Sequence, residues 1–387
     1  MKIASFMSRG FLTSEGTRSI DQAAFSIIAI LALIRTVTLD PVPFLADQDM
    51  ASYREMAIHP GSYFAGLPPH HAQRVLPSLA VWLLGAMFDM SPDAGFRLVS
   101  GLGIAVAHMG LFQISRRLGV CALMSLATVL LAALSQWPVT YPLRNVWQAC
   151  DAWTFALAAL MVLMTLERRW LALSICVAAA VFVRQNLPIL GVSALLHLAL
   201  SSRSSKPLLG AAAAVALFAL NTMLAGGGAG GALFKHLAGD LIRPQVMLQQ
   251  FFDTSLDGLF LPLLPLLLLP VALNSLKEQW WVLVFSLATI GQALLVAELG
   301  GVENTQRLVM PAIWILAPCA GLAAQRLFQG AALQTLYALT PATLALSRLV
   351  WDGTPLQHWH NYRAMPAIFL ALLIAYAWAA RLRKPAP

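Results

Sequence analysis

Charge is scarce in this sequence. Only 11% of its 387 residues are Asp, Glu, Lys or Arg, against about 25% in a soluble domain. With 59% of the residues hydrophobic, that shortage excludes an ordinary water-soluble fold. Cysteine is sparse too. Cys121, Cys150, Cys176 and Cys319 are scattered and mostly lie within apolar runs. That spacing excludes paired-cysteine metal sites and leaves the four as small buried hydrophobes. Long polar stretches are also missing, so no segment has the makings of an independent soluble core. No repeat appears at solenoid spacing. No small-residue cleavage site follows the first apolar run, Gln22 to Ile34, which ends at Arg35. That run reads as an uncleaved first membrane helix. The net charge of +8 is spread over short loops, with no basic stacking platform, so nucleic acid is excluded as a partner.

What the chain has instead is apolar runs. Thirteen are legible, at about 20–38, 74–89, 94–114, 118–136, 149–166, 170–184, 187–201, 207–224, 257–275, 279–298, 307–324, 331–350 and 365–381. A helix needs roughly 20 residues to cross a bilayer core. Apolar chain in lipid must also satisfy its own backbone groups. The expected fold is therefore all-α, a polytopic membrane bundle forming one integral domain.

Basic residues orient it. Lys2, Arg9 and Arg18 precede the first run, and Arg381, Arg383 and Lys384 follow the last, which places both termini in the cytoplasm. Arg116 with Arg117, Arg168 with Arg169, Arg203 with Lys206, Lys277 and Arg326 fall on that same side. An even number of crossings must then precede residue 116, yet three runs do. Asp89, Pro92 and Asp93 separate the second from the third, so one of the two is expected to be broken or interfacial. About twelve crossings follow from the thirteen runs. The non-cytoplasmic loops are then about 39–73, 137–148, 184–186, 225–256, 299–306 and 351–364. The segment 225–256 carries five glycines between Gly226 and Gly231 and reads either as a mobile hinge or lid or as a plain flexible linker.

The exceptions to apolarity are the informative residues. Asp49, Arg74, Arg144, Asp151, Arg184, Glu298, Glu303 and Arg307 come from distant stretches yet all fall at the expected outer ends of runs. A secondary transporter keeps its ionisable groups near the midplane, whereas an enzyme acting on lipid headgroups needs them at the interface. Snorkelling is the structural explanation for Arg74, Arg144 and Arg307. Arg184 interrupts about 30 apolar residues, where a functional role is the default.

One ordered set of motifs carries a resemblance. Asp47-Gln-Asp49-Met-Ala-Ser-Tyr53 follows the first run, and Pro68-Pro69-His70-His71-Ala-Gln-Arg74 opens the next. Arg144 with Asp151, then Arg184-Gln185-Asn186-Leu-Pro188, then Glu303-Asn304 with Arg307 and Pro311 complete the order. This arrangement resembles the GT-C superfamily of polyprenyl-phosphate-sugar-dependent glycosyltransferases. The resemblance places Asp49 at the family's acidic position, with Tyr53 four residues on, and Arg74 with His70 or His71 at its basic position. The motif here is His-His-x-x-Arg rather than the family's commoner His-Pro-Pro or Lys-Pro-Pro.

It implies a polyprenyl-phosphate sugar donor drawn from the lipid bilayer and a glycan, lipid or protein acceptor outside the cytoplasm. A bacterial inner membrane fits, and a eukaryotic endomembrane is physically compatible. Asp49 would be the base for the acceptor hydroxyl, with Asp47 raising its basicity by like-charge repulsion or orienting it. Arg74, Arg184 and Arg307 would receive the leaving phosphate, because a planar guanidinium suits that oxyanion. Tyr53, Arg144, Asp151 and Glu303 would support them. Asp49 and Asp151 would accommodate a divalent cation such as Mg or Mn, although nothing in the pattern demands one. Two rival expectations are a transporter or flippase of lipid-linked sugars and a non-catalytic assembly partner sharing the fold.

Overall fold

The computed structural model describes residues 15–38, 49–61, 67–134, 146–225, 316–319, 321–328, 330, 332–335 and 338. Their regular structure is entirely helical. Ten α-helices run α1 Glu15–Thr38, α2 Asp49–Ile58, α3 Pro69–Ala72, α4 Val75–Phe88, α5 Pro92–Arg117, α6 Ala122–Leu134, α7 Ala149–Leu166, α8 Trp170–Val181, α9 Leu187–Ser202 and α10 Lys206–Leu224. A 3-10 turn, Val146–Gln148, leads into α7. Residues 316–319 and 321–327 are also helical.

Three of these helices, α5, α7 and α10, are long and apolar enough to cross a membrane, which marks the chain as a membrane protein. They correspond to the expected runs 94–114, 149–166 and 207–224. The runs at 74–89, 170–184 and 187–201 become shorter helices of 14, 12 and 16 residues. At 1.5 Å per residue, 14 residues rise about 21 Å, short of a core of roughly 30 Å.

The α5–α7 pair is the spine. The two helices run parallel: Trp153 Nε1 donates to the Val99 carbonyl at 3.0 Å near one end, and Arg117 meets Glu167 at the other. Small residues let the backbones approach, as membrane helices favour in the absence of a hydrophobic drive between them. A Cβ on Gly103 would stand 3.0 Å from that of Ala152, and one on Gly110 only 2.8 Å from that of Ala159. Helix α1 runs antiparallel to α5, with Thr36 against Gly101 and Asp21 paired with Arg116 at 3.0 Å.

The second and third runs meet in a tight turn. Ser91 caps α5 by accepting from Ala94 N at 3.4 Å, with Pro92 in the first helical turn. Asp89 takes the left-handed conformation, φ 53°, to end α4. The chain therefore doubles back, and Val81 of α4 packs on Gly95 of α5. Helix α4 is a short antiparallel companion to the start of α5.

Helices α8 and α9 form a second hairpin, with Val177 against Gly191. Its tip, Phe182–Asn186, includes the expected polar break. Helix α10 returns beside them, Gly210 meeting Ser174. Followed along the chain, the helix ends sort into two levels. One holds Asp21, Arg116, Arg117, Glu167 and Arg169. The other holds the starts of α4 and α7, the α8–α9 tip and the last turn of α10.

Candidate functional site

The segment 39–73 is not plain loop. Its residues Asp49–Ile58 form helix α2, where Met, Ala, Arg and Glu are good helix formers and an acidic first residue complements the helix dipole. Asp49 is the first residue of α2, one turn before Tyr53. Its side chain and that of His70 lie outside the described residues, as do Asp47, Arg144, Glu303 and Arg307.

Tyr53 is buried and accepts a hydrogen bond from Arg74 Nη1 at 3.0 Å. His71 stacks at a tilt on Tyr53, centroids 5.5 Å apart, and its Nδ1 lies 3.0 Å from Ser52 Oγ. The two motifs on either side of residues 59–68 are thus joined through three side-chain contacts. Of the expected His70 and His71, the structure places His71 against α2.

Arg184 and Asp151 meet directly. Arg184 Nη1 donates to Asp151 Oδ1, and both side chains are at least 94% buried. Asp151 stands in the first turn of α7, where the helix dipole favours its charge. The sequence set Asp151 in one motif with Arg144, which lies outside the described residues; the partner found among the described residues comes from the α8–α9 tip, 33 residues on. The cation pairing of Asp49 with Asp151 considered above involves a side chain outside the described residues; among the described residues no group of three His, Cys, Asp or Glu could hold a metal ion.

Arg74 lies close enough to Asp151 to feel its field. Burial opposes its charge, while the hydrogen bond to Tyr53 and the field of the Asp151 carboxylate favour it. Its Nε is buried with no hydrogen-bond partner among the described residues. No carboxylate forms an ion pair with it among those residues either.

Neutral amides lock the elements that carry these charges. Gln185 donates to Gln73 Oε1 at 2.5 Å. Asn221, in the last turn of α10, donates to the Gln73 carbonyl at 3.1 Å and the Val181 carbonyl at 3.0 Å. Leu76 N donates to the Phe182 carbonyl at 3.0 Å. A helix end leaves its last carbonyls without intrahelical partners. Here α4 and α10 supply partners to the end of α8, which fixes Arg184 beside α4. Gln73, Asn221 and Ser52 were not singled out from the sequence. Gln73 stands inside the Pro-His-His motif. Asn221 had a signal, an amide in an apolar helix, where a buried polar group must find a partner.

The result is a buried polar cluster at one level of the bundle, built from α2, the α3–α4 junction, α7, the α8–α9 tip and α10. Chemically it offers two guanidinium groups, one carboxylate and several fixed dipoles, a setting suited to an anion. The chain matches no protein-family model and no curated protein.

Proposed function

We propose that this protein is a membrane glycosyltransferase of GT-C type, moving a sugar from a polyprenyl-phosphate donor to a glycan, lipid or protein acceptor on the non-cytoplasmic face. One observation carries this reading. Arg74, Asp151 and Arg184, more than 30 residues apart from one another in sequence, are gathered into a single buried cluster at one end of an apolar bundle. Buried ionisable groups are expensive in such a setting and are kept for function.

In the proposed reaction the acceptor oxygen attacks the anomeric carbon of the sugar. Its proton passes to Asp49, and the bond from that carbon to the phosphate oxygen breaks. The electron pair leaves with the polyprenyl phosphate, and Arg74 stabilises the charge that develops there. Tyr53 positions Arg74, and the Asp151–Arg184 pair anchors the α8–α9 tip beneath it.

Depth supports entry from the bilayer. Asp151 lies 15 residues, about 22 Å, along α7 from its Leu166 end. The cluster therefore lies at the level of the opposite end of α7, where a lipid-borne headgroup would arrive laterally. The test is transfer by the purified chain in proteoliposomes from a panel of radiolabelled polyprenyl-phosphate sugars. Transfer that Asp49→Asn abolishes in a folded protein is the expected result. Undiminished transfer by that variant would remove Asp49 from the chemistry.

One feature favours a second reading. The α8–α9 tip is a helix break beside a charge pair, the arrangement transporters use at their binding sites. Flux of a lipid-linked sugar across proteoliposomes, with no transfer from any donor, would favour a flippase.

A further inference from the structure

We propose that the α7–α8 and α9–α10 turns together form a binding site for the headgroup of an anionic bilayer phospholipid, with Arg168, Arg203 and Lys206 as its cations. The site lies at the Arg117–Glu167 level, away from the Arg74 cluster, and does not depend on the reaction proposed above.

Three helix ends at that level share one backbone design and differ in one residue. After α5, Gly119 takes the left-handed conformation, φ 88°. Its N–H donates to the Arg116 carbonyl at 3.1 Å, and that of Val120 to the Ser115 carbonyl at 3.0 Å. After α7, Arg168 is left-handed at φ 56°. Arg168 N donates to the Thr165 carbonyl at 3.0 Å and Arg169 N to the Met164 carbonyl at 2.9 Å. After α9, Arg203 is left-handed at φ 52°, and its N–H and that of Ser204 both reach the Ala199 carbonyl. Glycine is the residue this cap favours, because a Cβ crowds the backbone at positive φ. The end of α5 is closed by glycine. At 168 and 203 the chain accepts the strain and keeps a guanidinium.

A helix dipole gives a cation a modest reason to stand at a C-terminus. The placement of the two turns gives a larger one. The α8–α9 hairpin returns Arg203 to the level where α8 starts, and Gly210 of α10 meets Ser174 of α8, each one turn in from Lys206 and Trp170. Arg168 also lies near enough to His197 of α9 for its charge to act there. Glu167, the one carboxylate in the two turns, is taken by Arg117 and Arg169. Arg168, Arg203 and Lys206 are exposed, with half-buried Trp170 beside them, as aromatic residues stand at a membrane interface. Inward of them, Leu171 and Ile175 on α8 and Leu209 on α10 are exposed. A cationic rim over apolar helix faces matches both parts of a phospholipid. The phosphate takes the guanidinium forks, and the acyl chains lie along the helices. An acidic protein segment would match the charges alone. In an anionic bilayer, bulk lipid fills the site, so it does not compete with the Arg74 cluster for a trace lipid.

The test measures binding of phosphatidylglycerol and phosphatidylcholine, with matched acyl chains, to the full chain in detergent by native mass spectrometry. The wild type is expected to bind phosphatidylglycerol about tenfold or more tightly, since each basic residue near an anionic headgroup adds attraction. Arg168→Gly with Arg203→Gly should lose most of that preference. In phosphatidylcholine nanodiscs the same variant should unfold at an unchanged or higher temperature, because glycine fits both left-handed positions. Arg383→Gln with Lys384→Gln removes the same charge from another part of the sequence and should keep the preference. If the glycine variant fails to fold, Arg168→Asn with Arg203→Asn takes its place, asparagine also being accepted at a left-handed cap.

Equal binding of the two lipids by the wild type, or an intact preference in the glycine or asparagine variant, would overturn the site. An equal loss in the Arg383 and Lys384 variant would overturn it too, by making the preference a matter of net charge. Lower stability of the glycine variant in phosphatidylcholine, with the lipid preference intact, would make the arginines helix caps only. A polyglutamate peptide bound more tightly than phosphatidylglycerol would assign the surface to an acidic partner instead.

Discussion

Helix α7 carries an ion pair at each end, and the two could hardly differ more. At its start, Asp151 meets Arg184 with side chains 3% and 6% exposed. At its end, Glu167 holds Arg117 at 2.6 Å and Arg169 at 3.0 Å, with the arginines 41% and 66% exposed. The residue types are the same and the physics is not. Exposed pairs are screened by water and contribute about 0–1 kcal/mol. A buried pair has given up its hydration, so removing one partner strands the other. The Glu167 end is what a basic membrane loop looks like when it turns between helices. The Asp151 end has no such explanation, and the other buried polar side chains that join the helices there gather around it.

The sharpest way to break this comparison is Asp151→Leu. A lone Arg184 should cost about 3–5 kcal/mol, seen as a large fall in the thermal unfolding midpoint in detergent. Adding Arg184→Met should recover most of that stability, because an apolar pair of similar volume often replaces a buried ion pair without loss. Donor binding should not recover with it if the α8–α9 tip is part of the site. Next in size is Asn221→Leu. It leaves the Gln73 and Val181 carbonyls unpaired and should cost about 1–3 kcal/mol, with faster hydrogen exchange at residues 181–186. Gly110→Leu asks whether the spine alone sets stability. Its Cβ would meet that of Ala159, and overpacking costs about 1–3 kcal/mol, with no expected change in which lipid phosphate is bound. The smallest effect belongs to Glu167→Gln, below about 1 kcal/mol, with donor binding unchanged. A loss at Glu167 equal to that at Asp151 would erase the distinction between the two ends.

Much of this frame was legible beforehand. The run 149–166 coincides with α7, and 207–224 falls one residue inside α10, because polar or glycine residues bracket both. Counting basic loops raised the expectation that 74–89 and 94–114 do not both cross fully. The structure shows the two runs as a short helix and a long one joined by a turn at Ser91 and Pro92. Hydropathy alone cannot set a helix's length, so the expected run 170–184 extends past the end of α8 at Val181. The charged members of the site, Arg74, Asp151 and Arg184, stood out against apolar surroundings. Their pairing did not, since Asp151 and Arg184 come from different hairpins, 33 residues apart in sequence. Gln73 and Asn221 escaped notice because amides carry no charge and blend into a run. Their roles exist only once α4, α8 and α10 are brought together.

The most direct test is to crosslink a photoreactive polyprenyl-phosphate probe to the protein in a bilayer and map the labelled peptides. Label confined to residues 50–77 and 181–190, and lost with Arg74→Gln, is the expected result. Label concentrated on residues 114–122 and 166–170, or unaffected by that substitution, would contradict the claim that the buried cluster receives the lipid phosphate.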